Sequence, residues 1–252
     1  MRVTFSISII ALFSSLLPVA RGAGLSSISC PSETLAYYQV NFSSSTPGSP
    51  DGPCANGILN FSGFGFNSSG SPLSGLIGNN DIDLTPLGPP LGQTGDTGFS
   101  ISGMSVAAGQ TATYVIDWFF AIDAGPSASG ADLGMDPPFG SVTITQDYCV
   151  DSFITAYGAD SSPSCYSGSA PPIQSLTVTT SVPNASILFS PQALNFADVR
   201  TIIQLNGGTT GAGFDSLTGR STINLAPEPG TVLFASGGLL MLYFLRRRPV
   251  RQ

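Results

Sequence analysis

Between residues 111 and 124 the chain alternates apolar and polar positions at period two. Tyr114, Ile116, Trp118, Phe120 and Ile122 fall on one side, while Thr113, Asp117 and Asp123 share the other with Val115 and Phe119. Successive side chains of a strand point to opposite faces, so the pattern predicts a strand with one buried face, Trp118 included. Shorter apolar bursts predict further strands at 58–66, 99–106, 141–151, 175–182, 185–189 and 199–205. Gly-Asn, Pro-Gly, Gly-Pro-Pro and Asn-Gly-Gly turn signals separate them, and Gly or Pro interrupts every long stretch of helical spacing. The expected body is therefore all-β, two packed antiparallel sheets of β-sandwich or jelly-roll type, with long loops at 43–53, 68–98 and 125–140. A solenoid is the competing architecture, but no internal repeat of fixed period is present.

The ends follow other rules. Arg2, an apolar stretch over 3–19 and the small residues after it read as a signal peptide over 1–22, cleaved after Gly22 or, less well, after Ala23. At the other end, Pro227-Glu228-Pro229 precedes an uncharged apolar run over 231–245, and Arg246, Arg247, Arg248 and Arg251 follow it. As a helix that run would be roughly 23 Å long, and the arginines after it would stay on the cytoplasmic side. The expected domain plan is a signal peptide (1–22), an extracytoplasmic β-sandwich (23–226) and a C-terminal segment (227–252) with a transmembrane helix.

That order of Pro-Glu-Pro, short apolar span and terminal arginine cluster, behind a signal peptide, resembles the PEP-CTERM sorting signal of exported bacterial proteins. The resemblance covers the last 26 residues. It implies processing by an exosortase-type membrane enzyme after passage through the Sec translocon. Pro227, Glu228 and Pro229 would be read by that enzyme, and Arg246, Arg247 and Arg248 would hold the substrate in the inner membrane until its release to the cell surface. A plain C-terminal anchor is the rival reading.

Charge and composition narrow the chemistry of the body. All eight basic residues are arginines, and only Arg200 and Arg220 lie between the two ends. Against fourteen acids over 24–226 they leave a net charge of −12. Such a body cannot neutralise a row of phosphates, so no nucleic-acid partner is expected. With no histidine and no lysine, triad hydrolysis, histidine-ligated zinc, Schiff-base chemistry and P-loop binding are excluded as well. No cofactor is implied.

Four cysteines, Cys30, Cys54, Cys149 and Cys165, lie in the exported portion, where pairing is favoured. Three connectivities are possible and spacing does not choose among them. Local pairing, Cys30 with Cys54 and Cys149 with Cys165, is preferred because each bridge would pin a loop rich in Ser, Pro and Gly to a strand. Asp81 and Asp83 are weak calcium candidates in a turn that lacks the EF-hand register, and Asp132 and Asp136 are weaker still. The expected function is that of a non-enzymatic exported surface or matrix protein. A lectin-like module for extracellular polysaccharide is the alternative, and a secreted carboxylate-based hydrolase a more distant one.

Overall fold

The computed structural model describes residues 28–45, 50–89, 95–122, 127–154, 164–166, 172–190 and 195–224. Twelve strands and one short helix are present among them: β1 (Glu33–Thr34), α1 (Leu35–Asn41), β2 (Cys54–Asn56), β3 (Leu59–Ser71), β4 (Asp83–Leu87), β5 (Thr97–Val106), β6 (Thr111–Ile122), β7 (Ser127–Phe139), β8 (Ser141–Val150), β9 (Gln174–Thr179), β10 (Asn184–Leu188), β11 (Phe196–Asn206) and β12 (Ala212–Asn224). They form two antiparallel six-stranded sheets. The front sheet runs β1-β4-β5-β12-β7-β10 and the back sheet β2-β3-β6-β11-β8-β9. Every pairing between named strands is antiparallel.

The alternation in β6 is what closes the sandwich. Tyr114, Ile116, Trp118, Phe120 and Ile122 are all buried, facing Ile101, Leu133, Met135 and Leu217 within one core cluster. Phe61, Phe64, Phe99 and Tyr38 pack at one end, with ring centroids 4.7 Å apart in the Phe61–Phe99 and Tyr38–Phe64 pairs. Gln146 of β8 also points inward. Its Nε2 donates to Thr201 Oγ1 at 2.9 Å and its Oε1 accepts from the Tyr148 hydroxyl at 2.5 Å, so this buried amide has partners at both ends. The front sheet makes room for it at Gly219, where a Cβ would stand 3.2 Å from Gln146 Nε2.

Several expectations are corrected. No helix was expected in the body, but Thr34 accepts a hydrogen bond from the Tyr37 N–H and caps α1, which drives Leu35 and Tyr38 into the core. The expected loops at 68–98 and 125–140 hold the end of β3, all of β4 and all of β7, and β12 falls where no strand was foreseen. Small residues explain these misses: β7 and β12 carry Ala, Ser and Gly where a strand signal needs β-branched or aromatic side chains.

The fold class is corrected in a second respect. It was expected to include a signal helix and a transmembrane helix, yet no helix among the described residues is long and apolar enough to cross a membrane. The architecture is a two-sheet antiparallel β domain with one seven-residue helix. The expected inner-membrane anchoring therefore has no membrane-crossing helix to carry it among the described residues. The segments on which those expectations rested, 1–22 and 227–252 with Pro227, Glu228, Pro229, Arg246, Arg247 and Arg248, lie outside the described residues.

Candidate functional site

The four cysteines form two bridges, Cys30–Cys54 and Cys149–Cys165. The first ties the entry segment to β2 and the second ties the chain after β8 back to that strand. Paired cysteines fit an oxidising, extracytoplasmic setting. Asp81 and Asp83 do not converge: the Asp81 N–H closes a turn on the Gly78 carbonyl at 3.0 Å, Asp83 begins β4, and Ile82 between them is fully buried. No group of three or more His, Cys, Asp or Glu among the described residues is placed to hold a metal ion. Trp118 faces the core and is only 7% exposed, so it is no surface platform for a ligand.

What the fold does bring together lies on the outer face of the front sheet. Leu133 and Leu217 point into the core, so their neighbours along β7 and β12 point out. The register then sets Thr218, Gly134 and Asn184 in one cross-strand row and Arg220, Asp132 and Ser186 in the next. Asp96, just before β5, joins them to line an open groove of about 590 Å³. Thr218 Oγ1 donates to the Gly134 carbonyl at 3.2 Å. Thr222 Oγ1 donates to Asp132 Oδ2 at 3.4 Å and orients that carboxylate.

Gly134 forms the floor. A Cβ there would stand 2.9 Å from Asn184 Oδ1 and 3.0 Å from Thr218 Oγ1, so any larger residue would fill the groove between its polar walls. Asp96, Asp132, Asn184, Ser186 and Arg220 are all exposed. Together they offer carboxylate acceptors, a guanidinium donor and amide and hydroxyl groups that do both. Arg200, the other arginine of the domain, is fully buried in the back sheet. The two carboxylates of the groove, Asp96 and Asp132, are both exposed to water.

Of these residues, sequence reasoning singled out Asp132 alone, and for a different role. Asn184, Thr218 and Arg220 are ordinary outward positions until the pairing of β10, β7 and β12 places them side by side. The available signal was the period-two spacing of Thr218 and Arg220, and of Asp132 and Gly134.

No family model matches the chain, and no curated protein of similar sequence matches it. Among solved structures it is similar to TmCBM61 in complex with β-1,4-galactotriose, at 11% identity and a TM-score of 0.30, over 64% of this chain and 88% of that one. It is also similar to a family 11 carbohydrate-binding module from Clostridium thermocellum in complex with a β-1,3-1,4-mixed-linked tetrasaccharide, at 10% identity and a TM-score of 0.26, over 63% of this chain and 88% of that one.

Proposed function

We propose that this domain is a non-catalytic module that binds an extracellular polysaccharide in the groove across β12, β7 and β10. The observation that carries the reading is the unbroken polar surface of Arg220, Asp132 and Ser186 beside Thr218 and Asn184, open over Gly134. A sugar presents hydroxyls that donate and accept at short intervals. Strands roughly 4.8 Å apart present side chains at a similarly short interval, and a carboxylate beside a guanidinium can bind both ends of such a hydroxyl's hydrogen-bonding capacity. With no aromatic side chain among the groove's lining residues, selectivity would come from hydrogen bonding.

The test is affinity electrophoresis of the full chain through gels containing neutral and acidic polysaccharides, with Gly134→Phe as the blocked variant. Retardation of the wild type by at least one polysaccharide, lost in Gly134→Phe, is the expected result. Equal mobility in every gel, or retardation that Gly134→Phe leaves intact, would overturn the reading.

A further inference from the structure

The charges on and around the groove across β12, β7 and β10 restrict which sugar chains it can take. Along β7, Asp132, Gly134 and Asp136 share the outward side of the strand, and both aspartates are exposed. Asp132 lines the groove together with Asp96. Asp136 stands just beyond the lining residues, two positions and roughly 7 Å along the strand from Gly134. Arg220 lies opposite Asp132 in the β12–β7 register, yet among the described residues the two make no ion pair. With Arg200 buried in the other sheet, Arg220 is the exposed cation among the described residues. Three exposed carboxylates at or beside the groove thus stand against one guanidinium.

Charges in water act on one another over a Debye length, about 8 Å at physiological ionic strength. A sugar seated over Gly134 is therefore within range of all three carboxylates. A uronic acid or a sulfated sugar would meet a net negative field there, with fourteen acids against two arginines over 24–226 behind it. An ammonium on the sugar would be drawn to Asp132 but would meet the Arg220 guanidinium across the same row. An uncharged sugar meets neither obstacle. Its hydroxyl hydrogens can be given to Asp96 and Asp132, and its oxygens can accept from Arg220 and the Asn184 amide.

We infer that the groove takes uncharged polysaccharides and rejects acidic ones, with Asp96, Asp132 and Asp136 acting as the charge filter against a single balancing Arg220. The inference rests on the groove being a polysaccharide site and adds the class of sugar chain to that reading. Two of the three carboxylates serve in both capacities, as hydrogen-bond acceptors for hydroxyls and as a barrier to anions. Asp136 serves in the second alone, because it does not line the groove. That separation makes the filter testable apart from the contacts.

The experiment measures binding of the full chain to immobilised hydroxyethyl cellulose, galactan and mannan, each beside a carboxymethylated polymer of the same backbone. Biolayer interferometry reads it, the signal of Gly134→Phe is subtracted, and sodium chloride is set at about 20 mM and about 300 mM. At low salt a neutral polymer that binds should do so about tenfold or more tightly than its carboxymethylated counterpart. High salt should narrow that gap by screening the repulsion, while the affinity for the neutral polymer changes little. Asp136→Lys, checked for folding by circular dichroism, should raise affinity for the carboxymethylated polymer by about fivefold at low salt and leave the neutral one unchanged. Equal or tighter binding of the carboxymethylated polymer would overturn the charge filter and leave the polysaccharide reading standing. So would a gap that neither salt nor Asp136→Lys narrows, since that is the mark of the substituent's bulk. Binding to none of the polymers, neutral or acidic, would remove the polysaccharide reading itself and the filter with it.

Discussion

Arg200 and Asp117 face each other across β11 and β6 on the outer side of the back sheet, joined by an Nε–Oδ1 hydrogen bond of 2.9 Å, and Arg200 is nonetheless fully buried. A guanidinium taken out of water is tolerated because acids surround it, and those acids are tolerated because of it. Removing it leaves Asp117, Asp147 and Asp198 uncompensated. Arg200→Leu is expected to destabilise the domain by about 3–5 kcal/mol, measured by urea unfolding at neutral pH. A loss within the error of the method would show that the acids are not held as a unit.

The same acids give stability a pH dependence of stated sign. Burial raises Asp117 and Asp147 above the usual carboxylate range, despite opposing bonds from Arg200 and Ser175, and pushes Asp198 up to about 6. An acid whose folded value exceeds its unfolded one takes up a proton more readily when folded. Its contribution to stability therefore grows as pH falls through the folded value and fades as pH rises above it. The urea midpoint should be higher near pH 5 than near pH 7.5, and Asp198→Asn should flatten the slope. A midpoint that falls on acidification over this window would contradict the assignment.

In the groove, Arg220 is the exposed donor beside Asp132. Charge-assisted bonds are worth about 1.5–3 kcal/mol each, so Arg220→Ala should cost roughly tenfold or more in affinity for any polysaccharide the wild type binds. Its melting temperature should stay close to wild type, since exposed positions rarely change stability by more than about 0.5 kcal/mol. Titration calorimetry on both proteins checks this, and unchanged affinity would remove Arg220 from the site.

Tyr148 is buried with its hydroxyl on Gln146 Oε1, under the ring of Phe189 at 5.1 Å. Tyr148→Phe removes the donor and leaves that amide oxygen in the core. The expected cost is about 1–3 kcal/mol, read from the midpoint of chemical unfolding. A neutral effect would mean that the amide finds another donor.

The two disulfides close loops of 24 and 16 residues. By the chain-entropy relation each is worth about 3 kcal/mol. Cys149→Ser with Cys165→Ser should lower stability by about that amount while leaving the β-sheet signature of far-ultraviolet circular dichroism in place. Collapse of that signature would show that the bridge is needed to form the back sheet.

Much of the back sheet was legible because β6, β8 and β11 carry the large apolar side chains that make alternation visible. The buried face of β6 follows from Tyr114 to Ile122 alone, and the burial of Trp118 with it. The front sheet was harder to read. Ala128, Ala131, Leu133 and Met135 bury themselves in β7 between glycines and serines, and β12 sets Gly219 against Gln146 where a bulky residue would not fit. Small residues chosen to fit a partner sheet look like loop until the partner is known.

The residue order by itself determined the all-β body, the absence of lysine and histidine chemistry and the concentration of arginines at the ends, because composition and period-two patterning are local properties. Only the tertiary structure decided which residues share a surface. Asp132, Asn184 and Arg220 meet because β7 accepts β10 on one side and β12 on the other, and Asp117 meets Arg200 because β11 inserts beside β6. Those pairings, Asp132 with Ser186, Asp132 with Arg220 and Asp117 with Arg200, join positions 54, 88 and 83 apart along the chain, and the choice among them is made by packing two sheets on one core, which no local pattern records.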